Sequence, residues 1–86
     1  MNIRKQLVKR NIAGDVILVP VGDASLEIKG LLTLNETGEL LWDALPEAAD
    51  EAALTAVLQV EYDVDDATAR RDVADFLANL RELQVI

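Results

Sequence analysis

TLNETGELLW, residues 33–42, is where the chain changes character. Up to Leu34 the apolar residues come in short, β-branched runs separated by turn-forming pairs. From Leu40 onward they recur at helical spacing. Between them, Asn35 is a residue type that accepts hydrogen bonds from the first turn of a helix, and Glu36 meets the positive end of the helix dipole. Gly38 is a poor helix former, so a crowded contact is expected to exclude a side chain there. A phosphate loop is a poor reading: there is one glycine, no lysine and an acidic surrounding. The stretch therefore divides the chain into a strand-forming part and a helix-forming part.

Upstream, the pattern predicts three strands, over residues 6–13, 16–21 and 26–34. Gly14-Asp15 and Gly22-Asp23 supply the turns. Short links favour an antiparallel meander with the first and third strands at its edges. Downstream, helices are predicted over residues 36–45, 51–62 and 66–83. Pro46 ends the first, and Asp50 and Asp65 cap the others. Leu54, Val57, Leu58 and Tyr62 form one stripe; Ala69, Val73, Phe76, Leu77, Leu80 and Leu83 form another. Trp42 is expected to anchor the first helix, and Val85 and Ile86 to pack back on the sheet. Three strands followed by three helices in 86 residues make a single α+β domain, 1–86, and a winged-helix-like arrangement has this content.

Composition restricts the function. There are no cysteines and no histidines, which removes disulfides, thiolate chemistry, ordinary zinc sites and the usual general base. Of the carboxylate pairs Asp50/Glu51, Asp65/Asp66 and Asp72/Asp75, most have a structural explanation, since those at helix starts cap the helix and meet its dipole. No enzyme activity, metal or cofactor is expected. No apolar run is long enough for a signal peptide or a membrane span, so the plainest reading is a cytoplasmic protein. The net charge of −8 is uneven: residues 1–34 carry +2 and residues 35–86 carry −10. A DNA-reading third helix would need cations, yet residues 65–82 carry three arginines and five acids, with Arg71 and Asp75 spaced for an ion pair.

The strand edges are more informative. The first strand carries Lys9 and Arg10, charges of the kind that blunt an edge. The third, Ile28, Lys29, Gly30, Leu31, Leu32, Thr33 and Leu34, has one charge at its start and then none. Such an edge can accept an added peptide strand, be covered by the last helix, or pair in a homodimer. Pattern alone leaves these open.

Three segments carry a resemblance. Leu34-Asn35-Glu36-Thr37-Gly38-Glu39-Leu40-Leu41-Trp42 resembles the LN-x-T-G-x-x-x-W signature of the PqqD family, the small proteins related to pyrroloquinoline quinone biosynthesis protein D. Residues 12–22, IAGDVILVPVG, are similar to the family's second-strand region. Residues 69–80, ARRDVADFLANL, are similar to its A-x-x-D-V-x-x-F-L-x-x-L helix. The segment Pro46-Glu47-Ala48-Ala49 departs from the family, which often has Gly and Thr or Ser there. The resemblance implies a winged-helix-like fold and a peptide chaperone. Such an adaptor captures the leader of a ribosomally made precursor peptide by strand addition. It then presents that leader to a modifying enzyme, often a radical S-adenosylmethionine enzyme.

Carried over, the peptide edge is residues 28–34 and the last helix is the other wall. Of the two flanks of that helix, one shows Arg70, Ala74, Leu77 and Arg81; the other shows Thr68, Asp72, Asp75 and Asn79. The expected contacts are Arg70, Val73, Ala74 and Leu77, because apolar anchors beside one cation suit an acidic, leucine-bearing leader. The alternatives are a winged-helix DNA-binding regulator and a homodimeric scaffold.

Overall fold

The computed structural model describes residues 1–28 and 32–86. Its elements run β1 (Leu7–Ile12), β2 (Asp15–Pro20), α1 (Ala24–Glu27), β3 (Leu32–Leu34), α2 (Glu36–Ala44), a 3₁₀ turn (Leu45–Glu47), α3 (Glu51–Glu61) and α4 (Asp66–Glu82). The three strands form an antiparallel sheet in the order β1-β2-β3, which makes β1 and β3 its edges. This is the expected meander followed by helices.

The β1–β2 hairpin turns at Ala13 and Gly14, with φ of 53° and 87°. Two successive left-handed residues are what a two-residue hairpin turn demands. The turn thus falls one residue earlier than Gly14-Asp15, and Asp15 joins the strand. Register places Lys9, Leu18 and Leu32 opposite one another, and Asn11, Val16 and Leu34 likewise. These residues face the helices, because partners across an antiparallel pair share a face. Leu18 is fully buried there. Lys9 extends under the sheet to α2, where its ammonium donates to Glu39 and Asp43 at 2.9 Å. Those bonds raise its pKa, the Asp43 bond most. Lys9 is therefore tied to a helix rather than standing as an edge guard.

Residues 26–34 differ from the expected long strand. Helix α1 precedes β3, and Lys29, Gly30 and Leu31 lie outside the described residues. The alternation of Leu26 and Ile28 looked like a strand, but the buried pair is Ala24 and Ile28, four apart, while Leu26 is 79% exposed. Gly22 starts the turn with φ 60°, and its carbonyl accepts from both the backbone N–H and the hydroxyl of Ser25. Lys5 then holds Glu27 at 2.9 Å.

The helices form as the caps dictate. Asn35, Asp50 and Asp65 each accept from the backbone N–H three residues on, those of Gly38, Ala53 and Thr68. Pro46 starts the 3₁₀ turn that closes α2. Leu41, Leu45, Leu54, Leu58, Val73, Leu77 and Leu80 make the core between the helices and the sheet's inner face. Burying each such side chain contributes about 1.5–3 kcal/mol. Trp42 is half-buried and packs against this core, as does Phe76. Val85 is fully buried in the same cluster, and its carbonyl accepts from the Arg4 N–H at 2.6 Å, so the end of the chain meets the segment leading into β1. No helix among the described residues is long and apolar enough to cross a membrane.

Candidate functional site

The outer edge of β3 borders a cleft of about 650 Å³ between the strand and α4. Thr33 and Leu34 supply the strand side, and Asn35, Thr37 and Gly38 supply the corner where the chain turns into α2. Leu41, almost fully buried, and half-buried Phe76 give it apolar surface. Asp72, Asp75 and Asn79 form the α4 wall, and Asp15 closes the β2 end.

The corner is built tightly. Asn35 is extended (φ −80°, ψ −178°), and its Oδ1 accepts from the Gly38 N–H at 2.8 Å and from the Thr37 hydroxyl at 3.1 Å. A Cβ on Gly38 would stand 3.0 Å from that oxygen and 3.4 Å from Cδ2 of Leu34. The expected crowding is therefore real, and its source is the cap itself. The absent side chain lets the first turn of α2 close against the end of β3 and leaves the cleft open above it.

The edge has the chemistry for strand addition. Among the described residues, β3 pairs with β2 on one side only. In an antiparallel ladder alternate residues turn their N–H and C=O groups outward, so β3 leaves such groups on the side away from β2. An extended chain laid there gains main-chain hydrogen bonds and drops alternate side chains toward Leu34 and Phe76.

The expected contact residues divide sharply. Leu32, Thr33 and Leu34 are in β3, and Ile28 is buried at the end of α1. Val73 and Leu77 are fully buried. They lie at the centre of the face that α4 packs on the core, and they offer no surface to a partner. Arg70 and Ala74 are exposed, but they face α3: with Glu51, Thr55 and Ala56 they line a separate hollow of about 520 Å³. Arg70 is held by Asp66 at 2.8 Å, in place of the Arg71–Asp75 pair that the spacing suggested. Arg81 is held by Glu51 at 3.4 Å. The flank that meets β3 is the other one. Asp72, Asp75 and Asn79 were legible as one flank and Phe76 as part of the core stripe, but which flank turned to the strand depended on where α3 docks.

A larger hollow, about 790 Å³, lies by the segment leading into β1, beside Trp42 and α1. Its lysine, Lys5, is already bound to Glu27 and to the Leu83 carbonyl at 3.0 Å. Among the described residues no cluster of acidic side chains is arranged to hold a metal ion.

The sequence profile described as "Coenzyme PQQ synthesis protein D (PqqD)" matches residues 16–86. The chain belongs to the PqqD family. A solved structure described as "TbiB1 in Complex with the TbiA(beta) Leader Peptide" aligns with it at a TM-score of 0.75 and 27% identity, covering 99% of this chain and 93% of that one. No curated protein matches the sequence. The PqqD profile spans β2 from Val16 onward, all of β3, and every described cleft-lining residue except Asp15, which lies one residue before it.

Proposed function

We propose that this PqqD-family protein is a peptide-binding adaptor that captures the leader of a ribosomally made precursor peptide on the edge of β3. The observation that carries the reading is the one-sided pairing of β3 beside an apolar-floored cleft. It is supported by the likeness to TbiB1, described in complex with a leader peptide. Main-chain pairing supplies affinity that tolerates many sequences; Leu34, Phe76 and the α4 wall set register and choice. The protein presents the captured chain to a modifying enzyme and carries no catalytic group of its own. A radical S-adenosylmethionine enzyme is the partner class we favour, and the cytoplasm is where a ribosomal product would be met.

The test screens the N-terminal halves of any short open reading frames found beside the gene, each titrated calorimetrically into the full chain. Hydrogen exchange is then followed at residues 32–34. We expect binding with slowed exchange at the outward-facing amides of β3. The same peptide, N-methylated at alternate backbone positions, should lose affinity in one of the two phases of alternation and keep it in the other. Binding with unchanged exchange at β3, or equal tolerance of both methylation patterns, would overturn strand addition. A light-scattering mass checks the competing use of this edge, pairing between two copies.

A further inference from the structure

Sequence reasoning expected one cation in the groove and hence an acidic leader. The cleft has the opposite charge. Its α4 wall carries Asp72 and Asp75, its far end carries Asp15, and none of its described lining residues is a lysine or arginine. Among the described residues, none of these three carboxylates is in an ion pair, whereas Arg70 and Arg81 on the other flank are both engaged. Arg71, the exposed cation nearest this wall in sequence, is not among the described residues that line the cleft. The larger field has the same sign, since residues 35–86 carry −10.

We infer that the strand captured by β3 is basic and apolar in alternation: a lysine or arginine facing Asp72 and Asp75, and a bulky apolar residue two positions away over Phe76 and Leu34. This rests on the adaptor reading and narrows it. The site is defined by the free edge and the apolar floor; the carboxylates decide the occupant. Side chains two apart on a strand point the same way, about 7 Å apart, so both can enter one cleft. The helix supplies two acceptors to the cation, because residues three apart in a helix are neighbours on its surface. An acidic strand would bring like charges together in a cleft where, among the described residues, no lysine or arginine pairs with Asp15, Asp72 or Asp75. The acidic helical half would also draw in a basic chain faster at low salt.

The experiment presents a random twelve-residue phage-displayed library to the full-length protein and to its Asp72→Asn/Asp75→Asn variant. Circular dichroism first checks that the variant is folded. Wild type should enrich peptides with Lys or Arg two residues from a bulky apolar residue. In a synthetic copy of an enriched peptide, replacing that cation with Gln should weaken binding about two- to five-fold. The variant should bind both copies alike, and raising salt should shrink the wild-type difference. Enrichment of acidic or uncharged peptides overturns the inference and leaves the adaptor reading standing. So does a Lys-to-Gln penalty that persists in the variant. Enrichment of no peptide at all overturns the adaptor reading with it.

Discussion

The two flanks of α4 share one helix and one core seam yet present different surfaces. On the α3 side, Arg70 and Arg81 are neutralised by Asp66 and Glu51, and the hollow between the helices is bounded by helices only. On the β3 side, the carboxylates of Asp72 and Asp75 face a strand that is paired on one side. A helix-lined hollow with its charges satisfied fits a helix packing interface. A charged wall opposite unpaired main chain is a surface prepared for an extended partner. A residue type taken alone therefore says little: the arginine that looked like a ligand group is tied down, and Asp72 and Asp75, on the flank not expected to meet the peptide, line the cleft.

The largest effect should come from the seam between the flanks. Leu77→Ala should cost about 2–5 kcal/mol in a urea melt, and Leu77→Asp more, enough to unfold a domain of ordinary stability. If Leu77→Asp left the melt unchanged and abolished only peptide binding, Leu77 would be a groove residue after all. The flanks themselves are compared next. Asp72→Asn and Asp75→Asn should each weaken binding of a basic peptide about two- to five-fold, while Arg70→Gln should leave it within error. Equal losses on both flanks would erase the distinction.

The caps sharpen the comparison at smaller scale. Asn35→Ala and Asp50→Ala each remove a cap bond and should each cost about 1 kcal/mol by thermal melting. Only Asn35→Ala should also weaken peptide binding, because Asn35 stands at the cleft corner and Asp50 starts α3. Gly38→Ala should fail to yield the stabilisation of about 1 kcal/mol that the exchange gives in an open helix. The new methyl group presses on the Asn35 oxygen that caps the same turn, and a clear rise in melting temperature would refute that packing.

The smallest effect concerns the start of α4, common to both flanks. The Thr68 hydrogen bonds to the Asp65 side chain hold its carboxyl below the ordinary 3.8. A lowered folded-state value means this stabilisation is present above 3.8 and is lost as pH falls through that value toward the folded one. Asp65→Asn keeps a cap without the titration. The stability gap between wild type and this variant should therefore narrow below about pH 4 and stay constant from pH 5 to 7.

Much of this was legible in the sequence, for local reasons. The N-caps at Asn35, Asp50 and Asp65 depend on contacts within three residues, and all three stand where expected. The meander follows from short links. The stripes of α3 and α4 fix which residues go inward, so Val73 and Leu77 could have been assigned to the core by their place at its centre. What misled was residues 24–28, where a two-residue and a four-residue period share the same apolar positions. Only packing against Lys5 and the core chose the helix.

The sequence by itself determined the fold class, the starts of α2, α3 and α4, the crowding at Gly38 and the family. Each rests on interactions between near neighbours or on residue types that only one backbone tolerates. Tertiary structure alone decided which flank of α4 meets β3, and with it the sign of the charge a partner would encounter. That choice depends on the rotation of α4 about its axis, set by how Val73, Leu77 and Leu80 seat against α2 and α3. The exposed residues on both flanks are equally compatible with water, so nothing in their own sequence could make it.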